Sequence, residues 1–456
     1  MRPAAALWRL ASVPLHLLTL GLAGTGVARA GGAAADSASG GGATSAAPFS
    51  FADFSWVPGN AGASDRPLTI GPFTGEFRAD DAYHYSFADP SDGTISGSSE
   101  VFRHGEFQVT QLGFGGDLFY KNVIGRVMTQ FGMYSTTTPR NDASPGRGQW
   151  QLDDAYRYLS EAYGGYHWDG LHGVNLEAGL FMSYIGLWSY YNADNWTYQP
   201  SYVSSNTPWF FNGVRVQVFT SDRLKIEPWL VNGWQSYGRF NHDLGTGGQI
   251  LWRPTGAVSV VLNQYIGTDT YANAHRRRLH TDDSFSFKYR DHPGAGISRA
   301  AASLTVDAGG ESGGGVTFGS QYFIGFMAYN RLWFANNRFG FTAGGGAIRN
   351  PGRYLVLMPP INGATALSGT PYFTANPGDP FGAWDVQLST DYSPAPYVTF
   401  RLEYNYREAS VPYFSGPGGV TPPGGNQGAP GSVVPGWSPD LEKIERRLTA
   451  ALLVKL

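Results

Sequence analysis

The feature that most constrains this chain is a two-residue alternation of apolar and polar side chains that recurs along most of its length. It is clearest over 397–407. Val398, Phe400, Leu402, Tyr404 and Tyr406 fall on one face, and Thr399, Arg401, Glu403, Asn405 and Arg407 fall on the other. Over 383–392, Trp384, Val386, Leu388 and Tyr392 stand opposite Asp385, Gln387, Ser389 and Asp391. Leu176, Ala178, Leu180, Met182 and Tyr184 alternate with Asn175, Glu177, Gly179 and Ser183. Val214, Val216 and Val218 alternate with Arg215 and Gln217, and Val123, Val127, Phe131 and Met133 lie opposite Arg126 and Gln130. One such strand fits any half-buried sheet. A series of them, each about ten residues long, is the signature of a transmembrane β-barrel, whose apolar faces meet lipid and whose polar faces line the lumen.

The connections support that reading. Short turns fall at 120–122, 169–173, 221–223, 254–256, 335–337 and 393–396, and long loops at 136–156, 188–208, 237–247, 268–282, 350–380 and 409–439. Short periplasmic turns facing long external loops are the barrel arrangement. The count comes to about sixteen antiparallel strands, an even number that places both ends on the periplasmic side. Leu448, Ala450, Leu452, Val454 and Leu456 share a face, so the chain ends in a strand that must close the barrel against the first, around 74–87. Gly344, Gly345 and Gly346 would let a curved sheet bend. No near-identical repeat of 20–50 residues points to a propeller or solenoid.

Composition enters here as a filter. Aromatics make up 15% of the chain and charges another 15%, yet mean hydropathy is only −0.24. After residue 30 no apolar run is long enough for a membrane helix. Of the two folds that satisfy their backbone hydrogen bonds in lipid, the barrel remains. Cysteine is absent, which excludes a disulfide framework and thiolate metal sites.

The N-terminus has the form of an export signal. Arg2 and Arg9 precede an apolar stretch at 15–27, and Ala28, Arg29 and Ala30 give a small-x-small cleavage pattern before Gly31. Cleavage there removes three arginines and no acid, which takes the net charge from −3 to −6. A mildly acidic chain is poorly suited to nucleic acid. The expected organisation is a signal peptide at 1–30, a flexible lead-in at 31–72 and a barrel at 73–456. The lead-in is too short for a folded plug domain.

Several stretches carry a family resemblance: FTGEFRADDAYHYSF (73–87), FRHGEFQVTQLGF (102–114), NVIGRVMTQFGMY (122–134), SEAYGGYHW (160–168), the runs 176–188 and 206–218, and KIEPWLVNGWQSYG (225–238). In them the chain resembles the OmpL-like bacterial outer-membrane β-barrel porins from about Phe73 onward. The resemblance implies an outer-membrane barrel with a channel role and supplies no particular solute.

Charged residues on the polar faces are the candidate pore lining: Arg126, Glu177, Arg215, Asp385, Asp391, Arg401, Glu403 and Arg407. Opposed arginines and acids in a pore set a field that sorts ions, and the same residues could instead form salt-bridge ladders in a plugged barrel. The loop at 188–209 is crowded with Trp188, Tyr190, Tyr191, Trp196, Tyr198, Tyr202 and Trp209. An interfacial girdle with local loop packing is the first expectation for it, and an inward fold that narrows the pore the second. Arg276, Arg277 and Arg278, with His275, His280, Asp282 and Asp283, read as a charged loop, either solvated or bound to lipopolysaccharide phosphates. A metal held by His275, His280 and Asp282 is a remote option.

No Gly-x-Ser-x-Gly elbow precedes a helix and no HExxH motif appears, so neither an enzyme nor a cofactor is expected. The leading expectation is a passive diffusion porin for ions and small hydrophilic solutes, in contact with outer-membrane lipid and lipopolysaccharide and possible as a homo-oligomer. The alternative is a non-conducting surface or structural barrel.

Overall fold

Sixteen of the strands pair edge to edge until the last returns to the first. The computed structural model describes residues 47–60, 66–144, 149–373 and 379–456. In chain order the elements are β1 (Thr69–Ile70), β2 (Phe73–Ser86), β3 (Phe107–Tyr120), β4 (Val123–Thr129), α1 (Tyr134–Arg140), α2 (Leu152–Tyr156), β5 (Leu159–Trp168), β6 (Val174–Met182), α3 (Tyr202–Ser205), β7 (Phe210–Ser221), β8 (Leu224–Val231) and β9 (Gly245–Thr255). They continue as β10 (Val258–Gly267), β11 (Arg277–Asp291), β12 (Ile297–Ser312), β13 (Tyr322–Phe334), β14 (Phe339–Arg349), β15 (Gly382–Ala395), β16 (Val398–Ala409), β17 (Phe414–Ser415), β18 (Leu441–Glu442) and β19 (Ile444–Lys455).

The barrel runs from β2 through β16 and then to β19. β19 closes it antiparallel against β2, with Arg447 opposite Ser86 and Lys455 opposite Arg78. β1 adds two residues beside β2, and β17 with β18 form a small ribbon within the last long loop. Among the described residues no helix is long and apolar enough to cross a membrane. The expected signal peptide at 1–30 lies outside the described residues.

Tight turns join strands at one end. Lys121 and Asn122 both have positive φ, +49° and +68°, the backbone that matches a two-residue hairpin to strand twist. The expected turns recur in place, joined by one more at 292–296. All the long connections lie at the other end.

Side-chain orientation follows the alternation. In β16, Arg401, Glu403, Asn405 and Arg407 are buried, while Phe400 and Leu402 are 48% and 56% exposed and Tyr404 is half-buried on their side. The polar face therefore points inward, as a barrel in lipid requires. The apolar run at 176–184 is corrected at its end. β6 stops at Met182, and Tyr184 turns inside, where its hydroxyl donates to Gln264 O at 2.9 Å.

The interior is packed rather than empty. The loop 183–209 folds into the barrel and meets strands on the far wall. Residues 47–60 enter from the short-turn end. There Phe49 N donates to Asp222 O at 2.8 Å, Trp56 Nε1 donates to Gly256 O at 3.1 Å, and Arg299 binds the Asp53 carboxylate at 3.0 Å. Trp56 is completely buried. This part of the lead-in is thus a packed inner plug, although residues 31–46 lie outside the described residues. The reason is apolar content: Phe49, Phe51, Phe54, Trp56 and Val57 have no other surface in reach on which to leave water.

The glycines of β14 serve close approach rather than bending alone. A Cβ on Gly346 would come within 2.5 Å of Ser201 Oγ, and one on Gly344 within 2.2 Å of the Tyr329 ring. Gly346 makes room for the inserted loop, and Gly344 for the Tyr329 ring of the neighbouring strand, whose hydroxyl accepts from Ser201 N at 2.8 Å.

Candidate pore constriction

The eight charged residues expected on the lumen wall all face the interior, and they divide by what they bind. Arg126 binds neighbouring wall strands: Glu76 and Asp117 at 3.0 Å and Glu161 at 2.9 Å. Glu177 and Arg215 are cross-strand partners that form an ion pair, and the Arg215 guanidinium packs 4.7 Å from the Phe181 ring centre. These three residues are held within the wall.

Of the other five, Glu403, Arg401, Asp385 and Arg407 engage the inserted loop, and Asp391 holds Arg401 and Arg331 on the wall behind it. Glu403 accepts the backbone N–H of Tyr198 at 2.5 Å and of Gln199 at 2.9 Å. Arg401 donates to the carbonyls of Asn195 at 2.7 Å and Asn192 at 3.2 Å, while Asp391 holds its other side at 2.7 Å. Asp391 also binds Arg331 at 2.7 Å. Asp385 accepts from Tyr202 N at 2.8 Å, at the start of α3. Arg407 donates to Gly97 O at 2.5 Å, in the loop between β2 and β3, and lies 4.1 Å over the Tyr202 ring.

The contacts of Glu403, Arg401 and Asp385 to the inserted loop, and of Arg407 to Gly97, satisfy backbone groups that loops carry into the barrel without a strand partner, which is why charged acceptors and donors are placed there.

The aromatic loop takes the inward fold, which corrects the girdle reading. Trp196 is fully buried, stands edge-on to Trp333, and donates through Nε1 to Trp56 O at 3.1 Å. The loop tip and the N-terminal plug therefore meet inside the barrel. Tyr198 OH donates to Asp80 at 2.9 Å, Tyr191 OH to Glu161 at 2.8 Å, and Tyr190 OH to Gln130 at 2.8 Å. Trp188 packs 4.7 Å from Tyr329. Tyr190, Tyr191, Tyr198 and Trp196 bury their rings and find a polar partner for the hydroxyl or N–H, as buried Tyr and Trp do, whereas the Trp188 indole N–H and the Tyr202 hydroxyl have none.

The charged-loop reading of 275–283 is also corrected. Arg278, His280 and Asp282 lie on the lumen side of β11 and are buried, while Arg277 is exposed. Arg278 binds Glu311 at 2.8 Å, and His280 Nε2 sits 2.7 Å from Asp307. A polar lumen face and a solvated charged loop look alike in sequence. His275 remains in the loop before the strand, and among the described residues no group of three His, Asp or Glu side chains is placed to hold a metal.

Sequence reasoning missed further constriction residues. Asp194, at the loop tip, is bound by Arg78 at 3.0 Å and by Lys455 at 2.5 Å. Asn192 donates to Asp80 at 2.7 Å, and Arg447 binds Gln199. Arg78, Asp80 and Arg447 sit on the polar faces of β2 and β19, so the same alternation that selected Arg401 would have found them. Asn192 and Asp194 carry no such signal, because a loop has no period.

In the loop between β2 and β3, burial pushes the Glu100 carboxyl up to about 7. Burial likewise raises Asp142, in the loop after β4, to about 6, although it accepts from Ser144 N at 2.8 Å.

A family model described as "Putative beta-barrel porin-2, OmpL-like" matches residues 78–428. Among curated proteins none matches the chain significantly. Solved structures of similar form include OmpT of Vibrio cholerae, at 9% identity and TM-score 0.47, covering 85% of this chain and 99% of that one. DcaP, an outer-membrane channel of Acinetobacter baumannii, follows at 13% identity and TM-score 0.45, with coverage of 84% and 96%. An anion-selective porin from Comamonas acidovorans shows 9% identity and TM-score 0.48, with coverage of 84% and 99%.

Proposed function

The chain belongs to the OmpL-like β-barrel porin-2 family and is an outer-membrane porin. On that premise we propose that it passes ions and small hydrophilic solutes by passive diffusion through a lumen narrowed by the loop 183–209 and the inner segment 47–60. The observation that carries this reading is the polarity of the narrowed interior. Arg407 Nε and Nη2, Arg447 Nε, Gln387 Nε2 and Gln199 Nε2 are buried and have no protein partner. A buried donor left dry costs roughly 1–3 kcal/mol, more when charged, so these groups call for water inside the barrel. A hydrated seam lined by both signs of charge suits small polar solutes and disfavours large ones.

Among the described residues no catalytic constellation supports an enzymatic role, and we read the chain as a channel alone. Contact with lipopolysaccharide and assembly with further copies extend the same proposal, since the exposed apolar band of Phe400, Leu402, Leu448 and their like sets it in outer-membrane lipid.

The test is single-channel recording of the folded protein in a planar bilayer, with liposome swelling in a small sugar. A small conductance with slow swelling is the expected result. Correctly folded protein that neither conducts nor swells liposomes would favour the non-conducting structural barrel.

A further inference from the structure

At the root of the inserted loop lies a cleft of about 200 Å³ that the wall contacts leave open. It is bordered by the two ends of the loop, by Gly59 of the inner segment, by Tyr134 at the start of α1 and by Glu100 from the loop between β2 and β3. Three aromatic rings, Tyr134, Tyr190 and Trp209, pack against one another at tilted and edge-on angles along one side, with ring centres 4.5–5.9 Å apart, and Trp188 closes another.

Two polar groups on its lining have no hydrogen-bond partner: the Oε2 oxygen of Glu100 and the indole N–H of Trp188. Glu100 is only 7% exposed and Trp188 8%. A buried acceptor and a buried donor left open beside aromatic rings are costly in a folded protein unless a ligand or water meets them. Other buried polar atoms of the interior also lack a partner, but here an acceptor and a donor border the same aromatic-lined cleft.

We infer that this cleft is a binding subsite for a neutral pyranose sugar on the solute path. The inference rests on the channel reading above and names a solute class for it. A pyranose presents hydroxyls that both donate and accept around its rim, and C–H faces that pack on aromatic rings. Glu100 Oε2 takes a sugar hydroxyl proton as acceptor, and Trp188 Nε1 donates to a sugar oxygen. An organic cation would use the aromatic rings and the carboxylate but would leave the indole N–H unmet. The upward shift of Glu100 also favours a neutral guest, because much of the carboxyl is protonated near neutral pH.

Gly59 belongs to the same device. A Cβ there would come within 2.2 Å of Leu187 O, so only glycine lets the inner segment close over the loop root.

The experiment uses the full chain folded in detergent, with saturation-transfer NMR to D-glucose and, separately, to choline. Binding in roughly the millimolar range is expected, since a channel site must release its solute. Glu100→Gln and Trp188→Phe keep size and ring packing, and each should raise the half-saturating glucose concentration about tenfold. Circular dichroism and heat-shifted electrophoretic mobility check that both variants fold. Glucose binding unchanged in both folded variants, choline bound in preference to glucose, or no glucose signal from folded protein would each overturn the assignment. Because this readout does not depend on current, it separates the two proposals. Glucose bound by a protein that fails to conduct would sink the channel reading and leave the site standing, whereas a conducting protein that ignores glucose would do the reverse.

Discussion

Glu403 is the strongest single point at which to loosen the constriction. Its carboxylate receives two backbone N–H groups from the loop, Tyr198 at 2.5 Å and Gln199 at 2.9 Å. Hydrogen bonds to a charged group contribute roughly 1.5–3 kcal/mol each. In Glu403→Gln one oxygen still accepts, while the new amide presents N–H to N–H. The loss is then about 2–4 kcal/mol, a fall of roughly 30- to 1,000-fold in the equilibrium that keeps the loop docked.

Arg401 and Asp385 still hold the segment on either side, so the docked state remains the main one. The loop should nevertheless leave often enough to be seen. In a planar bilayer the variant is expected to show brief openings to a larger conductance, with more current noise than the unaltered chain. Limited proteolysis at 188–201 should also become measurable. Correctly folded Glu403→Gln with unchanged conductance, noise and protease resistance would refute the idea that these two hydrogen bonds anchor the constriction.

Other predictions concern the plug, ion preference and pH. Deleting 47–60 should raise conductance, and Trp56→Ala should cost roughly 3–5 kcal/mol of thermal stability because it empties a fully buried site; bilayer recordings and melting curves check both. Neutralising Arg126, Arg215 and Arg401 should move the reversal potential in a salt gradient toward cations, and the shift should shrink at high salt as charges are screened. Asp142 is pushed up by burial to about 6 from an ordinary 3.8, so its carboxylate form penalises the packed loop above that pH. Acidification from about 6 toward 4 relieves the penalty and tightens the loop, and the gain is lost as pH rises back through about 6. Hydrogen exchange at the Tyr237 amide, which faces Asp142, should slow accordingly after correction for intrinsic rates, and Asp142→Asn should abolish the pH dependence.

By itself the sequence determined the barrel. The alternation of Phe400, Leu402 and Tyr404 against Arg401, Glu403 and Arg407 encodes which way each strand faces, because a period of two leaves a strand only one register that keeps apolar groups in lipid. The turns at 121–122 and 335–337 were equally legible, since tight hairpins need residues that accept positive φ.

What the polar faces meet was decided only by tertiary structure. A strand shows the same pattern whether its inner face touches water, a neighbouring wall or another segment. Glu403 and Tyr198 are 205 residues apart, and no local period links them. The same ambiguity made Arg278, His280 and Asp282 read as a solvated loop when they line the lumen. The segments that fill the barrel, 47–60 and 183–209, have no repeat of their own. Their aromatic content shows that they must be buried somewhere, and only the closed wall, with glycine at 346 to admit the loop, fixes where.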